Sequence, residues 1–136
     1  MDASAMTGAV LALNVSVALL ALAVGGHALE WLLRDLPDAA SRVSSFTLAA
    51  QVHAAAAVGL LAVGLSFGPA GLAGAGLATA GLGLVLFCGA LYLHGLAGAV
   101  WAMPATLPGA LLLVIGWGLI AAALARTDGT AMSGLP

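Results

Sequence analysis

Three histidines, His27, His53 and His94, are among the few polar side chains of an otherwise apolar chain. In such surroundings an imidazole can ligate a metal or haem iron, carry a proton, or hydrogen-bond across a helix interface. Ionisable groups inside a membrane are functional candidates because their burial is costly. Depth along the chain pairs two of them. A helix rises about 1.5 Å per residue. His27 lies about six residues before the end of the first apolar run, and His53 about eight residues into the second, so both fall roughly 10 Å inside one interface. His94 closes the third run on the same side. Positions 92 and 94 are about 200° apart on a helix. If Tyr92 and Cys88 face the core, His94 points outward, to the interface or to a partner subunit.

Two histidines at matched depth could hold a haem b iron, a quinone headgroup, or a zinc or copper ion with a third ligand. The plainer expectation is structural. His27 and His53 would share an interhelical hydrogen-bond network, with Gln51 as a partner and no cofactor. Ala54 and Ala57 beside His53 imply close helices and little room for haem. Around this pair the expected polar cluster is Gln51, Glu30, Arg34 and Tyr92. Glu30 and Arg34 are spaced i, i+4 in the favourable order and read as an interfacial ion pair that ends the first helix. Cys88 reads as a buried small residue, since nothing basic in the sequence would activate it. The Asn14-Val15-Ser16 sequon falls inside an apolar run and is discounted as a glycan site.

The elements that must carry these residues are membrane helices. Of 136 residues, 63% are apolar and 6% charged, where a soluble domain has about a quarter charged. Mean hydropathy is +1.19. A net charge of −2 argues against nucleic acid, which needs a basic patch. One cysteine excludes an intrachain disulfide and a thiolate cage. A bilayer core takes about 20 apolar residues per helix. Four runs qualify, at residues 7–33, 45–67, 71–96 and 106–125. The expected fold is all-α, an integral-membrane four-helix antiparallel bundle forming a single domain over residues 1–136. The opening Met1-Asp2-Ala3-Ser4-Ala5-Met6 lacks a basic n-region, so the first run reads as a retained helix.

Punctuation supports the division. Arg34-Asp35-Leu36-Pro37-Asp38 ends the first run, Ser66-Phe67-Gly68-Pro69 turns between the second and third, and Gly98 to Pro104 precedes the fourth. Trp101 suits an interfacial anchor. Pro108 falls in a first helical turn, where its missing N–H costs little. The tail from Arg126 to Pro136 reads as frayed. Small residues must let helices approach in lipid. Gly71, Ala75, Thr79 and Gly83 form one ladder, Gly64 and Gly68 a GxxxG pair, and Ala49, Ala50, Ala56 and Ala57 flank His53. Arg34 and Arg42 in the first loop, against Arg126 opposite, place that loop in the cytoplasm by the positive-inside rule.

These motifs resemble the YgdD-like family of small bacterial inner-membrane proteins, a domain of unknown function. The matching residues are Val24-Gly25-Gly26-His27-Ala28-Leu29, Phe46 with Gln51-Val52-His53-Ala54, Phe87-Cys88-Gly89-Ala90-Leu91-Tyr92, Thr106-Leu107-Pro108-Gly109, and Gly116-Trp117. The likeness covers residues 8 to 125. Cys88 and Ala90 stand where the family has serines, and His94 where it has an aliphatic residue. The resemblance implies a four-helix membrane protein and no established activity.

No phosphate loop, nucleophile elbow or paired carboxylates occur, so an enzyme is not expected. A small multidrug exporter would want a carboxylate within its first helix, and Glu30 lies too near the end. The expected role is a non-enzymatic accessory or assembly subunit of a larger membrane complex, or a small homo-oligomer, in the bacterial inner membrane. Its partners would be lipid and other membrane subunits or itself. The alternative is a haem-, metal- or quinone-binding redox subunit using His27 and His53.

Overall fold

The computed structural model describes residues 14–21, 28–67 and 71–132, with 127–132 as backbone alone. Every element among them is helical. Three long helices, α1 (Ala39–Phe67), α2 (Gly71–Ala97) and α3 (Thr106–Met132), follow two short helical stretches at 14–21 and 28–33. A 3-10 turn over Val100–Ala105 joins α2 to α3. All three long helices are long and apolar enough to cross a membrane. The remainder of the first apolar run, the turn at Gly68 and Pro69, and residues 133–136 lie outside the described residues.

Two boundaries differ from the sequence expectation, for one reason. α1 begins at Ala39 rather than 45, and α3 continues to Met132 rather than fraying at Arg126. Hydropathy marks where a helix can meet lipid. It does not mark where backbone hydrogen bonds stop. At the start of α1 the Asp38 carbonyl accepts the Arg42 N–H at 3.1 Å, and the Leu36 carbonyl accepts the Ala39 N–H at 3.2 Å. The helix therefore begins ahead of the polar segment Ser41 to Ser45 and runs through it.

α2 is the organising element. Its contacts with α3 pair Gly76 with Ile120, Ala80 with Gly116, and Phe87 with Gly109, so residue numbers rise along one helix as they fall along the other. Here backbones touch. A Cβ on Gly83 would stand 2.5 Å from the Leu113 nitrogen, and one on Gly109 2.5 Å from the Phe87 nitrogen. One on Gly116 would collide with the Ala80 backbone. Small residues permit this approach where lipid offers no hydrophobic drive. The ladder expected from sequence is not the one used. Gly71 and Ala75 are exposed, and of that set only Gly83 lies on the seam. A strict four-residue spacing drifts about 40° per step around a helix, whereas Gly76, Ala80, Gly83 and Phe87 stay on one face.

α1 packs on the other side of α2, again with opposing residue order, through Arg42, Phe46, Ala49 and His53. Stretch 14–21 lays Ala18 against Ala54 and Ala57, and stretch 28–33 lays Leu29 and Leu33 against Phe46 and Ala50. Gly59 of α1 receives the Trp117 ring of α3. Gly116 and Trp117 thus have separate tasks, one admitting α2 and the other covering α1.

Candidate functional site

His53 is the central residue of α1, with fourteen residues on either side. At about 1.5 Å per residue it lies roughly 21 Å from the helix start. It is buried, and two helices supply its partners. Its Nε2 lies 2.7 Å from Asn14 Oδ1 in stretch 14–21, and its Nδ1 lies 3.3 Å from the Tyr92 hydroxyl in α2. One tautomer satisfies both contacts. With the proton on Nε2, the ring donates to Asn14 and accepts from the Tyr92 O–H. The Tyr92 ring is held edge-on between two others. Its centroid is 5.1 Å from Phe46 at 63° and 5.9 Å from His53 at 66°. Long helical side chains reach toward the N-terminus of their own helix, which carries this hydroxyl down α2 to the level of His53.

This chain of three side chains borders a cleft of about 500 Å³. Leu60, Leu77, Leu84 and Val85 supply its apolar wall, together with Gly81, Cys88 and Gly89. A Cβ on Gly81 or Gly89 would meet nothing within 4 Å among the described residues, so neither glycine is required by a described packing contact. Among the described residues lining it there is no charged side chain.

A second polar group closes one end of the helices. Gly98 adopts φ +66° and its N–H donates to the His94 carbonyl at 2.8 Å, the left-handed cap that glycine favours. That leaves the next two carbonyls of the last turn to be satisfied. Arg42 reaches across from α1 to take them. Its Nε donates to Gly95 O at 3.2 Å and its Nη2 to Leu96 O. A cation at a helix C-terminus is also favoured by the helix dipole. Asp38 stands 4.0 Å from Arg42. Beside them His94 Nδ1 lies 3.0 Å from the Ser45 hydroxyl.

Several sequence expectations are corrected here. Arg42 is not a charge of the first loop. It is buried within α1 and holds the end of α2. His94 does not point outward. It is buried, because α2 meets α1 on one side and α3 on another, which leaves a wide buried face. Gln51 is exposed and is no partner of His53, since residues two apart on a helix diverge by about 200°. Arg34 lies in the turn beyond stretch 28–33, 3.8 Å from Asp35 and over the Trp31 ring at 5.6 Å. The i, i+4 geometry needed for Glu30 is broken there, and both residues are exposed. Cys88 is buried and free. His27 lies outside the described residues, and with it the expected pairing with His53. The earlier start of α1 also removes the depth argument for that pair.

Asn14 is the partner that sequence reasoning passed over. It is the chain's single asparagine, set within an apolar run. A buried amide must find a partner, and His53 was the obvious candidate on the neighbouring helix. Among the described residues no group of three metal-ligating side chains converges. Both ring nitrogens of His53 already carry hydrogen bonds, so ligation through either would break one.

The fold and this site define an all-helical protein with membrane-length apolar helices and a polar chain buried between them. The protein belongs to the family described as Protein of unknown function (DUF423), whose model matches residues 21–110. That span includes α1, α2 and the start of α3. No curated protein and no solved structure matches the chain significantly.

Proposed function

We propose that this is a non-enzymatic integral membrane protein of the bacterial inner membrane, a four-helix antiparallel bundle of the YgdD-like kind. Its role is that of an accessory or assembly subunit of a larger membrane complex, or of a small homo-oligomer. The observation that carries the reading is the direction in which the apolar side chains face. Val58 and Leu65 on α1, Leu82 and Leu96 on α2, and Leu111, Val114 and Ile115 on α3 are all more than half exposed. Scattered exposed leucines are ordinary on any protein, but three successive helices that present apolar side chains outward need lipid or a partner around them. Among the described residues outside the helices the charged side chains are Arg34, Asp35 and Asp38, so recognition is assigned to these faces. Native purification at endogenous level is the test. A co-purifying membrane protein, or a homo-oligomer that survives mild detergent, supports the role. A strictly monomeric particle with nothing bound contradicts it.

Arg34 and Arg42 at one end of α1, against Arg126 at the opposite side, favour the cytoplasm for the 34–38 segment and the opposite side for the C-terminus. An alkaline phosphatase fused after Arg126 is then active, and an inactive fusion reverses the orientation.

A further inference from the structure

We propose that the cleft beside His53 binds a neutral, lipid-soluble molecule with a hydrogen-bonding carbonyl head and an apolar tail, the chemistry of an isoprenoid quinone. The proposal rests on the membrane reading above but on residues of its own: Asn14, His53 and Tyr92 for the head, Gly81 and Gly89 for the passage.

Size and lining come first. Small-molecule sites are clefts of roughly 300–1,000 Å³, mostly apolar, with a few placed polar groups. This one has about 500 Å³, and its polar side chains form a single hydrogen-bonded chain. Shape comes next. Leu77, Gly81, Val85, Gly89 and Tyr92 all line it from α2, so the cleft follows the helix axis for about 22 Å at 1.5 Å per residue. An elongated occupant fits such a slot better than a compact one. The two glycines widen it where a side chain would fill it, and among the described residues nothing lies within 4 Å of either missing Cβ. The contrast with Gly83 and Gly116 on the α2–α3 seam is direct, because those two are needed for backbone contact.

Charge and depth select the chemistry. No lining residue described could neutralise a phosphate or carboxylate. His53 is at the midpoint of a 29-residue helix. The ester carbonyls of a phospholipid sit at the edge of a hydrocarbon core about 30 Å thick, some 15 Å from such a depth. A neutral ring carbonyl can travel to mid-bilayer, accept a hydrogen bond from the Tyr92 hydroxyl, and leave its chain along the glycine wall. Tyr92 would then exchange one acceptor, His53 Nδ1, for another.

The experiment uses the full chain in phospholipid nanodiscs, titrated calorimetrically with 2-decyl-1,4-benzoquinone. Saturable binding near one per chain is expected. Gly81→Leu and Gly89→Leu should each weaken it at least tenfold, and Tyr92→Phe several-fold. Gly118→Leu, also at a position with nothing within 4 Å but outside the cleft, should leave it unchanged. Helical circular dichroism and the melting temperature of each variant separate lost binding from lost fold. Non-saturable partitioning that is the same in all variants overturns the proposal. So does a tightly held phospholipid that Gly81→Leu displaces while the quinone fails to bind. Neither outcome touches the proposed subunit role, which stands or falls on native purification.

Discussion

Where α2 meets α3, glycine backbones touch. Where the same helix meets α1 and stretch 14–21, side chains carry hydrogen bonds beside an open cleft. Both sides face the same problem, which is how to hold helices together when lipid is as apolar as the interface. The α3 side solves it by proximity, with dispersion attraction summed over whole backbone segments. The α1 side has one such approach, at Gly95 against Arg42 and Phe46, and adds polarity through Asn14, His53 and Tyr92 midway and Arg42, Ser45 and His94 at the end. A seam of the first kind tolerates no added atom and has no space for a ligand. A seam of the second kind leaves a cleft beside its hydrogen bonds, where the proposed ligand would sit. Close backbone packing and the proposed ligand cleft thus fall on different faces of one helix.

The comparison can be broken at its stiffest point. Gly116→Leu forces a side chain into the Ala80 backbone. Overpacking of a core usually costs about 1–3 kcal/mol. Backbone contact leaves no flexible side chain to give way, so a cost at or above the top of that range is expected. Loss of the monodisperse folded species in detergent, or a fall in melting temperature larger than for any other variant here, is the measurement. A next largest effect is expected for Arg42→Met, which keeps the apolar stem and removes the cap. Hydrogen bonds from a charged donor are worth about 1.5–3 kcal/mol. Equilibrium unfolding should register a loss in that range, together with faster amide exchange over Gly95 to Gly98.

The polar chain should prove weaker than either. Interhelical polar contacts in membranes average about 0.6 kcal/mol and rarely exceed 1.7. His53→Leu and Asn14→Leu should each fall in that range. Because they share one hydrogen bond, the double variant should cost less than the two singles added together. Full additivity would mean that the two residues act apart. The smallest effect belongs to Gly118→Ala on exposed α3, where a Cβ meets nothing. Its change should stay within about 0.5 kcal/mol of neutral, as surface substitutions usually do.

Much of the architecture is legible in the residues. The apolar runs locate α2 to within one residue, because Gly68-Pro69 precedes it in the sequence and Gly98, at φ +66°, follows its last turn. They misplace the start of α1 and the end of α3, where helix continues through polar residues. The glycine content announces close packing, but periodicity alone selects the wrong ladder. Which glycines touch depends on how the helices cross, and that is not written in one helix. At the site, His53 and Tyr92 both stand out in the sequence, and the structure brings them within hydrogen-bond distance. Gln51 is favoured by nearness in sequence, yet a two-residue step on a helix means divergence. Asn14 lies thirty-nine positions away and reads only as part of a sequon. Arg42 looks like a loop charge because arginine is costly to bury. Its two carbonyl partners belong to a helix end that only the assembled fold brings near.

The central claim is that His53 is bound from both sides, by Asn14 and by Tyr92. Nitrogen-15 spectra of the histidine-labelled protein in lipid test it most directly, with His53→Leu used to assign the signals. The account predicts a neutral ring protonated at Nε2, whose Nδ1 signal moves in Tyr92→Phe and whose Nε2 signal moves in Asn14→Leu. A ring protonated at Nδ1 alone, or signals that neither substitution moves, would contradict it.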